Sequence, residues 1–290
     1  VTVYDEVPYT GRPYADSHPE RLATMAALFG VAAAPPEHCR VLEIACGDGA
    51  NLVPMACSLP ASEFVGFDLA AGPIERGREL AGGLGLTNVA LAQQDLADFP
   101  ADAGAFDYII AHGLYSWIPA AAREQLLALV ARHLAPRGVA FVSYNTYPGC
   151  YVRRMVWEML KFHTDQLDTP AARIAEARAL ARLLAEGRTA RDAYSALLEA
   201  ELERVGARDP GFLFHDDLAA VNEPAYFHEF VAHASRHRLQ FLCEAELVAM
   251  AYGGLTPEAR RVLDGLDPLA REQYLDFVKC RRFRQTLLCR

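Results

Sequence analysis

Residues 40 to 56 read RVLEIACGDGANLVPMA. A short apolar run ends in Glu43, a tight turn carries Gly47 and Gly49, and a new apolar segment opens just beyond. Strand, glycine turn and helix in that order begin an open α/β sheet. Such a turn lets backbone N–H groups approach whatever sits beyond the strand end. The same grammar repeats along the next hundred residues. Strands are expected over 40–45, 63–67, 89–92, 106–111 and 139–144, several of them apolar almost throughout, as strands covered on both faces of a parallel sheet must be. Helical segments lie between them. The clearest is AAREQLLALVARHL, with Leu126, Leu127, Val130 and Leu134 at helical spacing and PRG after it as a turn. Alternating elements of this kind wind into a parallel sheet with helices on both sides.

The alternation stops near residue 150. Over 151–206 the pattern is helical only, with stripes at Val152, Met155, Val156, Met159 and Phe162 and at Tyr194, Leu198, Leu202 and Val205. Between them, Thr169 suits a cap, Pro170 a first turn and Gly187 a stop. Beyond residue 212, strand candidates return in LQFLCE and FRQTLLC, separated by helices opening at Thr256-Pro257 and Asp267-Pro268. The expected organisation is a segment over 1–39, a ligand-binding core over 40–149, a helical insertion over 150–212 and a closing portion over 213–290.

With 290 residues and just over half of them hydrophobic, a large core needs no metal or disulfide. The formal charge of -9 argues against a nucleic-acid backbone as partner. Seven cysteines with no CxxC pair read as reduced thiols of a cytoplasmic protein. No apolar run is long enough for a membrane span, and VTVYDEVPYTGRPY lacks the apolar stretch of a signal peptide. No metal site is expected. HDDL, with His215, Asp216 and Asp217, has His228 and His233 downstream, but these are five apart and no HExxH spacing occurs.

Two ligands use a strand–glycine turn–helix unit of this kind, a dinucleotide and S-adenosylmethionine. The dinucleotide pattern places a third glycine where this chain has Leu52. Glu43 can receive the ammonium of a methionine moiety, whereas Glu43 and Asp48 would repel a pyrophosphate. Asp68, 21 residues after Gly47, ends the second strand and can accept from both ribose hydroxyls. Asp95 ends the third, placed for an adenine amino group, with Leu96 to pack on the ring. Acidic groups at three successive strand ends are far more specific than the glycines and favour S-adenosylmethionine.

VLEIACGDG, FVGFD, QQDLADF and FDYIIAHG resemble the successive motifs of class I, Rossmann-like, S-adenosylmethionine-dependent methyltransferases. The departure is Ala45, where many members have the first glycine of the loop. YDEVPY, SHPERLATMAALFG, AHGLYSWIP, SYNTYPG, FHDDLAAVNEPAYFHEFVAHA and RRFRQTLLC are similar to bacterial members that carry a methyltransferase regulatory domain, a group that includes protein-lysine methyltransferases. The resemblance implies a seven-stranded sheet of order 3-2-1-4-5-7-6, with the two C-terminal strands antiparallel. It implies a cofactor site built from Glu43, Ala45, Cys46, Gly47, Asp48, Gly49, Asp68, Leu69, Asp95, Leu96 and His112, with S-adenosyl-L-homocysteine as product.

Ligands of such sheets bind beyond the strand ends. His112 is expected near the cofactor and, with Tyr115 and Tyr144, beside the reacting groups as a catalytic candidate, and Trp117, Asn145, Tyr147 and Asp216 around the methyl acceptor. Aromatic faces suit a cationic amine. His18 and Arg21 are candidates for the methionine carboxylate, and Tyr4, Asp5, Glu6 and Tyr9 for a lid. The preferred acceptor is a protein lysine. The alternatives are a small-molecule nitrogen or oxygen, a protein that binds the cofactor without turnover, and a nicotinamide-dependent oxidoreductase.

Overall fold

A computed structural model describes residues 3–187, 189–190 and 192–290, and of Asp5 the backbone alone. Seven strands form one sheet: β1 (Arg40–Ile44), β2 (Glu63–Asp68), β3 (Val89–Gln93), β4 (Phe106–Ala111), β5 (Leu134–Asn145), β6 (Gln240–Glu244) and β7 (Phe283–Cys289). Their order is β3-β2-β1-β4-β5-β7-β6. The first five are parallel, and β7 is antiparallel to both β5 and β6. The expected fold class is therefore the observed one.

Two apolar layers cover the sheet. On one face Val41, Phe64, Tyr108, Ile110 and Phe141 pack with Leu22, Met25 and Leu52. On the other, Leu42, Ile44, Ile109, Val142 and Tyr144 pack with Leu126, Val130, Phe227 and Phe230. The period of two along each strand produces this division. PRG is not a turn, because β5 begins at Leu134. Between the pairs Phe106–Leu134 and Tyr108–Val139, β5 carries the extra residues as a bulge.

Helices Cys150–Thr164, Pro170–Glu186 and Ala193–Ala207 follow β5. Thr169 caps the second by accepting from the Ala172 N–H, as its sequence implied. They share a third core, in which Val156, Leu160, Ala181, Leu202 and Val205 meet Leu213, Phe214 and Leu218. Phe162 departs from the expected stripe, being 90% exposed while Leu160 takes the core position. Val156, Leu160 and Thr164 recur every four residues, and that face, not the one through Phe162, turns inward.

The edge formed by β6 and β7 is fixed by a buried ion cluster. Arg284 of β7 lies 2.9 Å from Asp276 and 3.2 Å from Glu272 on helix Pro268–Lys279, and 2.5 Å from Glu244 of β6. Glu244 also accepts from the Thr286 hydroxyl and the Gln285 N–H. Removing the cation would leave Glu272 without its ion pair and Arg281 alone to offset the buried charges of Asp276 and Glu244. Arg284→Met is expected to cost about 3–5 kcal/mol of unfolding free energy, measured by urea denaturation.

Candidate active site

Beyond the C-terminal ends of β1, β2 and β4 lies a cavity of about 560 Å³. The chain leaves β1 through Ala45, Gly47 and Gly49, all at positive φ (58°, 57° and 71°). Space is open where a Gly47 side chain would stand, so this turn can lie flat against a ligand. Ala45 adopts the left-handed backbone that glycine tolerates better, a strain of order 1 kcal/mol held by the sheet on either side.

Asp68, at the end of β2, accepts from the Gly47 and Ala70 N–H groups, both at 2.9 Å, which orient its carboxylate beside the cavity. Asp95 caps the short turn Leu96–Asp98 by accepting from the Ala97 N–H. Glu43 is 4% exposed. Its Oε1 accepts from the Asn51 amide at 2.7 Å, while Oε2 is buried and meets no partner among the described residues. Burial pushes its carboxyl up to about 8; the Asn51 bond opposes the shift, and the charges of Asp68 and Asp48 add to it. A buried oxygen without a partner, at the lip of a cavity, fits a cationic ligand group.

His112 follows β4. Its Nδ1 is 3.1 Å from the Ser143 hydroxyl, and its ring lies 3.8 Å from that of Tyr14. Burial, reinforced by Arg12, pushes its pKa down to about 4, so the ring is neutral near pH 7 and a poor proton acceptor.

The N-terminal segment closes the cavity. Tyr4 stacks on His215 with centroids 4.1 Å apart, and His215 Nε2 donates to the Val7 carbonyl at 2.6 Å. Asp216, next along the π-helical turn Leu213–Asp217, is held by Arg208. The cavity thus brings together Glu43, Ala45, Cys46, Gly47, Asp48, Asp68, Leu69, Asp95, Leu96, His112, Trp117 and Asp216.

Several expected residues lie elsewhere. Gly49 faces Leu91 and Val53 instead of the cavity. His18 caps helix Pro19–Leu28 by accepting from the Glu20 N–H, and Arg21 pairs with Asp16 at 3.7 Å, so neither lines the site. Tyr144 is buried on the opposite face of the sheet, stacked on Phe230 and bonded to Thr286. Strand alternation turns its neighbour Ser143 the other way, where its buried hydroxyl meets His112 and the Gly113 N–H behind the cavity wall. Asn145 is buried against Ser116 and Asn222. Tyr115 and Tyr147 line a separate cavity of about 590 Å³. Residues that the sequence reading missed are Asn51, Arg12, Tyr14, Gln94 and His215. Asn51 carried a signal, since GDGAN places an amide two residues beyond Gly49, at the start of the following helix.

HDDL gathers no metal ligands among the described residues. His215 bonds Val7, Asp217 is paired with Arg204, and His228 bonds Gln273. No helix among the described residues is long and apolar enough to cross a membrane.

The family described as "Methyltransferase domain" matches residues 41–138, and "Predicted methyltransferase regulatory domain" matches residues 209–290. An uncharacterized protein of Rickettsia prowazekii is 36% identical over 288 residues, covering 99% of this chain and 52% of its own. A second one from that organism is 31% identical over 240 residues, covering 82% of this chain and 96% of its own. Among solved structures, PKMT2 from Rickettsia typhi in complex with AdoHcy is 33% identical with a TM-score of 0.89, over 97% of this chain and 55% of that one. The chain therefore spans about half the length of two of these relatives.

Because burial raises the Glu43 carboxyl from 4.5 to about 8, the folded chain keeps a proton that the unfolded chain releases. Stability from this group is thus lost as pH rises through that window. Glu43→Gln is expected to gain in melting temperature relative to the native chain as pH is raised from 4.5 towards 8, and to show no such gain below it, measured without ligand by differential scanning calorimetry.

Proposed function

The chain belongs to the class I S-adenosylmethionine-dependent methyltransferases that carry a methyltransferase regulatory domain, and we propose that it methylates the side-chain amine of a protein lysine. The observation that carries the acceptor reading is the make-up of the cavity mouth. Tyr4, Tyr9, Tyr14, Trp117 and the carboxylate of Asp216 line it, and Arg12 is its only arginine or lysine among the described residues. Aromatic faces and a carboxylate suit an ammonium. The R. typhi relative, whose name abbreviates protein lysine methyltransferase, supports the same reading.

S-adenosylmethionine supplies an activated methyl group on a sulfonium centre. Glu43 would receive its ammonium, with Asn51 fixing one carboxylate oxygen and leaving Oε2 free. Asp68 would accept from the ribose hydroxyls while its backbone donors hold it in place. Asp95 and Leu96 would meet the adenine, and Arg12, in place of His18 and Arg21, the carboxylate. An attacking lysine must be neutral. Asp216 and the aromatic faces would draw the ammonium to the mouth, and its proton would pass to bulk water before attack, the positive charge of the methyl donor favouring the neutral amine. His112, neutral at pH 7, serves as a polar wall and not as the base.

The test is to incubate the purified chain with methyl-labelled S-adenosylmethionine and a bacterial lysate and to map labelled sites by mass spectrometry. Label on lysine Nζ supports the reading; label confined to small molecules overturns the acceptor. Asp68→Ala is expected to weaken S-adenosyl-L-homocysteine binding roughly 10- to 100-fold, about 1.5–3 kcal/mol, by calorimetry. Asp216→Asn should raise KM for the protein acceptor roughly tenfold and leave the S-adenosyl-L-homocysteine affinity unchanged. Ligand affinity of the native chain should rise as pH approaches 8, since the ammonium needs a charged Glu43, and Glu43→Gln should abolish that slope.

A further inference from the structure

Away from the cofactor cavity, helix Phe227–Arg236 and its C-cap place His233 and His237 one turn apart. Both face Glu124 on helix Ala120–His133. His233 Nε2 is 3.1 Å from Glu124 Oε1, and His237 Nε2 is 2.9 Å from Glu124 Oε2. One ligand atom from each of the three residues lies within 4.8 Å of the others.

A second observation singles out this cluster. His233 is 7% exposed, and its Nε2 has no hydrogen-bond partner among the described residues although a carboxylate oxygen stands 3.1 Å away. The geometry suits neither a donated hydrogen bond nor solvation. On the far side of the ring, Nδ1 lies 2.8 Å from the Tyr115 hydroxyl. A proton on Nδ1, donated to Tyr115, leaves the Nε2 lone pair free beside Glu124. Metal-bound imidazoles are fixed in this way by the hydrogen bond on their other nitrogen.

We propose that Glu124, His233 and His237 bind a divalent transition-metal ion of the zinc class. Two imidazoles at i and i+4 on one helix, joined by a carboxylate from a second element, make a set of three ligands with a fourth position open. The oxygens of Glu124 are each close to a different imidazole, so modest spreading of the three side chains seats an ion between them. Arg236 donates to Glu124 Oε1 at 2.7 Å and has to swing aside. Its side chain is 62% exposed, so displacing it costs little. His233 and Arg236 line the cavity of about 590 Å³, which has room for water to complete the shell.

The ion would clip together two parts of the chain that match different families. Glu124 lies within 41–138, and both histidines lie within 209–290. Tyr115, which orients His233, belongs to the turn whose Leu114 and Trp117 wall the cofactor cavity. The site is thus a structural clip adjoining that wall. The sequence reading set metal aside on the His228–His233 spacing; the second histidine is instead His237, and the carboxylate comes from 113 residues earlier.

The experiment is to strip the chain with EDTA, titrate it with Co²⁺ while recording visible absorption, and titrate it with Zn²⁺ by calorimetry. One ion per chain is expected, with tetrahedral-type Co²⁺ bands and a metal-dependent rise in melting temperature. His237→Ala and Glu124→Gln alter side chains at the protein surface. Each should weaken binding at least about tenfold and leave S-adenosyl-L-homocysteine affinity intact; Tyr115→Phe should weaken it less. No uptake by the stripped native chain, or uptake that survives both His237→Ala and Glu124→Gln, overturns the proposal. Neither outcome depends on which acceptor is methylated.

Discussion

The 2.7 Å hydrogen bond between Asn51 and Glu43 is the contact on which the site depends. A carboxylate at the end of a buried strand is costly unless its oxygens find donors. Asn51 supplies one donor and leaves the other oxygen facing the cavity. The same side chain accepts from the Tyr14 N–H at 2.8 Å and donates to Ser17 at 3.1 Å. One amide therefore joins β1, the glycine turn and the N-terminal segment. The N-terminal segment at Tyr14 and the most buried acid of the cavity are fixed by a single residue, so the positions of Glu43 and Tyr14 are mechanically connected.

At the other edge of the sheet, the part that matches a regulatory domain also supplies β6 and β7. β7 pairs with β5 over six registered positions and carries the buried Arg284 cluster. Tyr144 of β5 packs against Phe230 from that same portion. Removing residues 209–290 would expose the apolar edge of β5 and one face of its core, so this portion is structural for the sheet whatever else it does.

The fold, and the gathering of three acidic groups at one cavity, were legible because both follow from strand ends. Glu43, Asp68 and Asp95 each close an apolar run, and the chain direction of a parallel sheet puts such ends side by side. The acceptor half was not legible from the same rule. Reading SYNTY as a patch ignored that neighbouring strand residues face opposite ways, so Ser143 supports His112 from behind while Tyr144 packs into the core on the other face. Tyr115 and Trp117 likewise part company across one short 3₁₀ turn. His18 and Arg21 were equally consistent with a helix start, and that is what they build. Long-range partners such as His215 with Val7, or Glu124 with His237, leave no local pattern at all.

These placements divide the labour along the chain. The groups set to hold the cofactor come mainly from β1 to β4 and their turns, where backbone geometry permits little variation. The groups at the mouth come from elsewhere: Tyr4 and Tyr9 from the N-terminal segment, His215 and Asp216 from the π-helical turn. That turn has two sides. Leu213, Phe214 and Leu218 sit in the core of the helical insertion, while His215 and Asp216 reach the cavity. Arg204 and Arg208 of the insertion hold Asp217 and Asp216. The insertion therefore acts on the site through the position of one carboxylate and one imidazole. A change in its helix packing would move Asp216 and His215 while leaving Glu43, Asp68 and Asp95 where they are, which on the proposed reading separates the choice of acceptor from the binding of the methyl donor.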